Sequence, residues 1–275
     1  MTNLKIANFN LLVDNYCNKN QFCIASDSAI DNTIRFNLLL EILKQSISEG
    51  VDIFCFQEVT RSSGSKLRNF FRSYNYHFIY DNYGFWKNGY MGVMIVWNAD
   101  KLNTINDYSE KIGDKIFHKG LKKNGTFNSF KKLFKLIIFY FIKFSNLKKF
   151  YELLNDDNKS IETARRKDNI FLSLKLQLKN NCNKQFYICN YHMPCNYNDN
   201  IVMNLHASRL KKIISKYIKD KPVIFCGDFN SKPDSELYKL MTSGSFKSAF
   251  KEVNNFEPDR TTYCITKRND DPIQT

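Results

Sequence analysis

The sequence predicts an α/β domain with mixed β-sheets. Short apolar runs alternate along the chain with segments of helical period, which implies crossover helices between strands. A clean alternation at Leu172, Leu174, Leu176 and Leu178, followed after a polar turn by Phe186–Asn190, implies antiparallel pairing as well. Over 275 residues, 43% hydrophobic and 15% aromatic content is enough for a sizeable core.

The elements follow in order. Leu4, Ile6, Asn8 and Asn10 alternate with their neighbours as in a strand. Phe36, Leu39, Leu40, Leu43 and Ile47 lie at helical spacing over Thr33–Ile47, with Asp31, Asn32 or Thr33 as cap and Gly50 beyond the end. Val51–Phe56 and Val93–Trp97 are short apolar runs of the kind that form buried strands, the second after Gly89 and Gly92. Leu172–Leu178 and Phe186–Asn190 form the hairpin across Asn180–Lys184. Asn200–Lys219 is a helix with Leu205, Ile213, Ile214 and Tyr217 on one side, and Val223–Cys226 is a last buried strand that ends at Gly227. No fixed-period repeat is present.

Residues 111–159 break this rhythm with the run FKKLFKLIIFYFIKF at Phe130–Phe144. Lys135 and Lys143 interrupt it too often for a bilayer span. Two readings remain: a basic interfacial helix that touches a phospholipid membrane or nucleic acid through residues 127–151, or a helical insertion packed on the domain with its lysines in solvent. The net charge of +14 attracts polyanions without choosing among nucleic acid, phospholipid headgroups and phosphorylated metabolites. Phe, Tyr and Lys share A/T-rich codons, so genomic base bias contributes to the same charge. None of the eight cysteines forms a C-x-x-C pair, and Cys55 and Cys226 sit inside apolar runs as small buried hydrophobes. The first residues lack the basic and apolar regions of a secretory signal. The expectation is therefore an intracellular, cytoplasmic protein with reduced thiols.

Three motifs stand at predicted strand ends: Phe9-Asn10, Phe56-Gln57-Glu58 and Gly227-Asp228-Phe229-Asn230. Strand ends are where a chain leaves the core and presents polar groups to a shared cleft. A hard cation such as Mg²⁺ takes oxygen ligands, one or two of them carboxylates, and Glu58 with Asn10 supplies such oxygens. Asp228 is suited to orient or deprotonate an attacking water, and the Asn230 amide to hold a phosphate oxygen. His192, in Asn190-Tyr191-His192-Met193-Pro194, is suited to donate a proton or hydrogen bond to a phosphate in transfer. Each residue also has a plain alternative: a solvated strand-end charge for Glu58, a turn residue for Asp228, a strand terminator for Asn10, a satisfied structural group for His192. Asp14, Asp270 and Asp271 are loop acids without an assigned role, and Arg165 and Arg166 either reach phosphate or lie in a solvated turn.

The ordered set ANFN, DIFCFQEV, GVMIVW, NYHMP and VIFCGDFNSKPDSELYKLM resembles the endonuclease/exonuclease/phosphatase superfamily over roughly Ile6–Met241, outside the 111–159 insertion. GDFNSKPDSELYKL looks particularly like the nocturnin and carbon-catabolite-repression deadenylase branch. The resemblance implies a four-layer sandwich of two mixed β-sheets flanked by helices, with one catalytic domain over residues 1–275. It implies hydrolysis of a phosphate ester by in-line water with Mg²⁺ or Mn²⁺. By position, Glu58 would bind the metal beside Asn10, Asp228 would activate the water, Asn230 would contact phosphate, and His192 would stabilise the transition state.

The family pattern closes with an Asp in an Ile-Asp-Tyr context and a Ser-Asp-His. Here the histidines are His77, His118, His192 and His206, and TTYCIT at Thr261–Thr266 is similar to the segment before those motifs. The resemblance thus implies missing C-terminal strands and impaired activity. Nucleic acid is the preferred substrate and partner. The alternatives are a lipid hydrolase of the sphingomyelinase or phosphoinositide-phosphatase kind, and a pseudoenzyme that binds phosphate-bearing partners. Oligomeric state is not legible.

Overall fold

The computed structural model describes residues 3–116, 158–218, 221–259, 261–262, 265–268 and 271–274. Eight strands form two four-stranded sheets. The first contains β1 (Ile6–Asn10), β2 (Ile53–Val59), β3 (Tyr76–Asn82) and β4 (Gly92–Asn98) in the order β1-β2-β4-β3. The second contains β5 (Leu102–Lys111), β6 (Ile170–Leu178), β7 (Asn181–His192) and β8 (Val223–Asp228) in that order. β1 and β2 pair in parallel, as do β7 and β8; the other neighbours are antiparallel. Parallel neighbours require a crossover. The Asn32–Ser48 helix supplies one and the Asn200–Tyr217 helix the other.

The sheets stack face to face, with β1 over β8, β2 over β7 and β4 over β6. Strand alternation sorts the side chains into three apolar layers. Ile53, Cys55, Val93, Ile95, Leu172, Leu174 and Ile188 fill the space between the sheets. Phe54, Phe56, Met94 and Val96 point the other way, onto Leu43 of one helix and Leu67 and Phe71 of the Arg61–Arg72 helix. Cys189, Tyr191 and Phe171 pack on Ala207, Leu210 and Ile213. The result is the helix–sheet–sheet–helix sandwich that the resemblance implied. Cys55 lies in the middle layer, fully buried, with Cys226 packed against that layer, and among the described residues Cys17, Cys23, Cys55, Cys182, Cys189, Cys195 and Cys226 are free thiols.

Some elements carried no sequence signal. β5 reads LNTINDYSEK and lies at a sheet edge with most residues exposed, so it has no apolar period to detect. It includes Lys111, so the break in the rhythm begins after this strand and not at it. Residues 158–165 are helical, and Arg165 and Arg166 pair there with Glu162. The basic aromatic run and the whole of 127–151 lie outside the described residues. Toward the C-terminus, β9 (Ile265–Arg268) and β10 (Asp271–Gln274) make a two-stranded antiparallel sheet of their own. Among the described residues, no helix is long and apolar enough to cross a membrane.

At one end of the middle layer the packing turns polar. The inner face of β1 runs Ile6, Asn8, Asn10; that of β2 runs Ile53, Cys55, Gln57; that of β7 runs Ile188, Asn190, His192; that of β8 runs Ile224, Cys226, Asp228. Asn190, fully buried, donates from Nδ2 to the backbone oxygens of Phe56 (2.9 Å) and Met94 (3.0 Å) on the opposite sheet. Its Oδ1 accepts from Gln57 Nε2 at 2.8 Å, and that same nitrogen donates to Asn8 Oδ1 at 2.8 Å. Asn8 Nδ2 in turn reaches Gly227 O at 3.3 Å on β8. A chain of amides thus ties β1, β2 and β4 to β7 and β8.

Truncating Asn190 to Ala removes three hydrogen bonds from the buried layer, at roughly 0.5–1.5 kcal/mol each. Asn190→Ala is expected to lower unfolding free energy by about 3 kcal/mol in urea titration; a loss within 0.5 kcal/mol would show that water replaces the amide.

His206 gives a second expectation. It is fully buried, with Nδ1 2.6 Å from Tyr191 Oη and Nε2 2.8 Å from Ala164 O, a set that suits the neutral ring. Burial lowers its pKa from 6.5 to about 4. The unfolded chain therefore takes a proton that the folded chain refuses, so stability is full above pH 6.5 and is lost as pH falls toward 4. The loss is on the order of 3 kcal/mol. His206→Gln should flatten that part of the pH–stability curve.

Candidate active site

The polar end of the sandwich is where β1, β2, β7 and β8 finish. Local backbone features aim the side chains there. In β2 the pairing with β4 shifts register between Gln57 and Val59, and Glu58 stands at φ +57°. Alternation alone would send Glu58 outward, opposite to Gln57. The bulge and the left-handed backbone turn its carboxylate back to the cleft. On β8, a Cβ at Gly227 would come within 2.1 Å of Tyr191 O, so glycine is what lets β8 lie against β7 beside Asp228. Asn230, at φ +47°, follows in a tight turn that its own backbone N–H closes on Asp228 Oδ1 at 2.9 Å.

All five residues singled out in the sequence meet in this cleft. Asn10 Nδ2 donates to Glu58 Oε1 at 2.9 Å and to Asp228 Oδ2 at 2.8 Å, so one amide bridges two carboxylates from opposite sheets. His192 Nε2 lies 3.8 Å from Glu58 Oε1 and 4.0 Å from Asp228 Oδ2. Asn230 Nδ2 donates to Met193 O at 2.8 Å and stands 3.2 Å from His192 Nε2. Tyr197 Oη donates to Asn230 Oδ1 at 3.1 Å. Asn10 presents its NH₂ to the carboxylates, while its oxygen accepts from Leu12 N–H at 2.9 Å.

Three supporting residues carried no motif. Tyr83 Oη is 2.7 Å from His192 Nδ1. Burial, and after it the charges of Glu58 and Asp228, push the Tyr83 phenol well above its ordinary value, so it keeps its proton. If Tyr83 donates to Nδ1, the ring proton sits on Nε2 and faces the carboxylates; if Nδ1–H donates to Tyr83, Nε2 accepts from Asn230. Asn169 Nδ2 donates to His192 O at 2.7 Å. Arg35, on the first crossover helix, donates to Leu11 O (2.8 Å) and Leu12 O (3.0 Å). This pins the loop whose Val13 N–H donates to Glu58 Oε2 at 2.8 Å. Strand alternation, extended one residue past each apolar run, was the available signal for Asn8, Gln57 and Asn190. For Arg35 and Tyr83 there was none.

The donor set is oxygen-rich. Glu58 and Asp228 bring carboxylates within reach of one amide, and among the described residues no cluster of three or more His, Cys, Asp or Glu forms a closed metal cage. Such a set fits a hard cation that keeps several waters, as Mg²⁺ does, and does not fit a soft thiolate-bound metal. The loop acid Asp14 lies 3.9 Å from Arg35 and takes part in holding that loop.

A model of the Endonuclease/Exonuclease/phosphatase family matches residues 7–272. The CCR4-Not complex 3'-5'-exoribonuclease subunit Ccr4 of Phaeosphaeria nodorum is 23% identical over 292 residues, covering 90% of this chain and 44% of the relative. The Ccr4 of Candida albicans is 25% identical over 268 residues, covering 89% and 29%. The chain thus spans less than half the length of these curated relatives. Among solved structures, the human nocturnin catalytic domain with bound sulfate anion superposes with a TM-score of 0.64 at 17% identity, covering 94% of this chain and 77% of that one. ANGEL2, a 2',3'-cyclic phosphatase, gives 0.61 at 20% identity, covering 87% and 56%.

Arg35→Met keeps the stem and removes the guanidinium. Loss of a charged hydrogen bond of about 1.5–3 kcal/mol predicts at least a tenfold faster amide exchange at Leu12 and Val13. Unchanged exchange there would show that the loop holds without Arg35.

Proposed function

Because the chain belongs to the Endonuclease/Exonuclease/phosphatase family, we propose that it is a hydrolase of phosphodiesters in nucleic acid, working with Mg²⁺ or Mn²⁺. The observation that carries this is the meeting of Asn10, Glu58, His192, Asp228 and Asn230 within hydrogen-bonding reach at the ends of four strands. The likeness to two Ccr4 exoribonuclease subunits favours RNA, and the charge of +14 agrees with a polyanionic substrate. The free thiols suit a reducing, intracellular setting.

Bound at Glu58 with Asn10 beside it, the cation would neutralise charge on the phosphate. The chain's own groups do the rest. Asp228 takes the proton from a water that attacks phosphorus in line. Its orientation is fixed by Asn10 and by the Asn230 backbone N–H. The new bond is from the water oxygen to phosphorus, and the bond to the leaving oxygen breaks. Asn230 and His192 offer N–H groups to the phosphoryl oxygens. Tyr83, by holding Nδ1, sets which face of the His192 ring meets the phosphate.

The test uses Glu58→Gln, which keeps the size and removes the charge. Mn²⁺ affinity by calorimetry should fall at least tenfold, and hydrolysis of single-stranded RNA by roughly 10²–10³-fold, with circular dichroism unchanged. Undiminished metal affinity would move the cation elsewhere.

A further inference from the structure

The loop between β3 and β4 shows three aromatic rings to solvent beside the site: Phe85 (52% exposed), Trp86 (70%) and Tyr90 (37%). Two cations lie on them. The Arg61 guanidinium is 4.1 Å from the centroid of Tyr90, and Lys87 Nζ is 5.4 Å from that of Trp86. No acidic residue interrupts residues 83–91.

The loop is built to hold this pose. Asn88 is buried at 3% exposure, and its Oδ1 accepts from Phe85 N–H at 2.7 Å. Phe85 O accepts from the N–H groups of Asn88 and Tyr90, each at 3.0 Å. Gly84 leaves the room, since a Cβ there would meet Asn88 Oδ1 at 2.2 Å. Gly89 turns the chain at φ +63° and accepts from Arg61 N–H at 3.1 Å. With the polar residue inside and the aromatics outside, exposure of the rings is a consequence of the loop's own hydrogen bonds.

The position ties the loop to the chemistry. Its first residue, Tyr83, bonds His192, and Asn15 of the neighbouring loop donates to Lys87 O. We infer that Phe85, Trp86 and Tyr90, with Arg61 and Lys87, form a stacking platform for unpaired nucleobases of the strand whose phosphate enters the site. This rests on the phosphodiesterase reading and specifies its substrate as single-stranded. A base stacks on an aromatic face or an arginine plane whatever its sequence, and adjacent cations meet the backbone phosphates.

The native chain offers its own probe. Of the two tryptophans, Trp97 is buried at 4% exposure, so red-shifted emission reports Trp86. Binding is measured in EDTA, without turnover, with oligoadenylate of about ten nucleotides, with a strand of the same length lacking bases, and with phosphatidylcholine–phosphatidylserine vesicles. Oligoadenylate should quench Trp86 and bind at least tenfold tighter than the abasic strand. With a labelled strand, Trp86→Ala should lose about tenfold in affinity and Trp86→Phe should stay within about threefold of the native chain. Equal binding of the two strands, an unaffected Trp86→Ala, or a response to vesicles alone would overturn the platform. Hydrolysis of bis(4-nitrophenyl) phosphate with Mn²⁺, and its loss in Glu58→Gln, reads the catalytic assignment separately, so failure of one is not mistaken for failure of the other.

Discussion

The buried amide of Asn190 sets the geometry on which the rest depends. It sits between two sheets and is satisfied only when Phe56 O, Met94 O and Gln57 are all in place. A buried polar group without partners costs far more than one bond gains, so the amide tolerates only one relative placement of the sheets. Apolar packing in the middle layer drives the sheets together but permits sliding. The amide chain removes that freedom. Glu58 and Asn10 belong to one sheet and His192 and Asp228 to the other, so the 3.8 Å from Glu58 to the imidazole and the 2.8 Å from Asn10 to Asp228 are inherited from this register.

Around that fixed register, the site stores backbone strain. Leu12, Glu58 and Asn230 all stand at positive φ, a region that costs an ordinary residue on the order of 1–3 kcal/mol. Each has a local return. Leu12 N–H meets Asn10 Oδ1, Glu58 receives Val13 N–H, and Asn230 N–H meets Asp228 Oδ1. Each strained residue makes or takes a hydrogen bond within the site, and Glu58 is itself one of the two carboxylates, which is the pattern of a preorganised site and not of a loose loop.

Electrostatics complete the arrangement. Two carboxylates and a high-pKa phenol are gathered at the polar end of the sandwich, with an amide shared between the carboxylates. The chain as a whole carries a net charge of +14. Such a charge attracts polyanions, while two carboxylates in the cleft repel bare phosphate; the divalent cation proposed above would reconcile the two. The aromatic loop beside the cleft adds contact area that charge alone does not provide.

The sequence by itself determined the class of fold and named the residues that meet in the cleft. The apolar runs at Val51–Phe56, Val93–Trp97 and Val223–Cys226, the Leu172–Leu178 alternation and the two crossover helices all stand where the periodicity placed them, within the usual few residues at the ends. Those signals are legible because each element buries a continuous stripe. Edge strand β5 and the Arg61–Arg72 helix were not, since one is mostly exposed and the other is short and mostly polar. Asn10, Glu58, His192, Asp228 and Asn230 were legible because each lies at or just past the end of an apolar strand run, where a polar residue has few other uses. Only the tertiary structure decided how they are held. Gln57 and Asn190 are ordinary amides in sequence, Tyr83 is one of fifteen tyrosines, and Arg35 lies on a helix more than twenty residues from the loop that it pins. Their roles arise from contacts between residues far apart along the chain, and no local pattern encodes which distant backbone oxygen an amide or a guanidinium will meet.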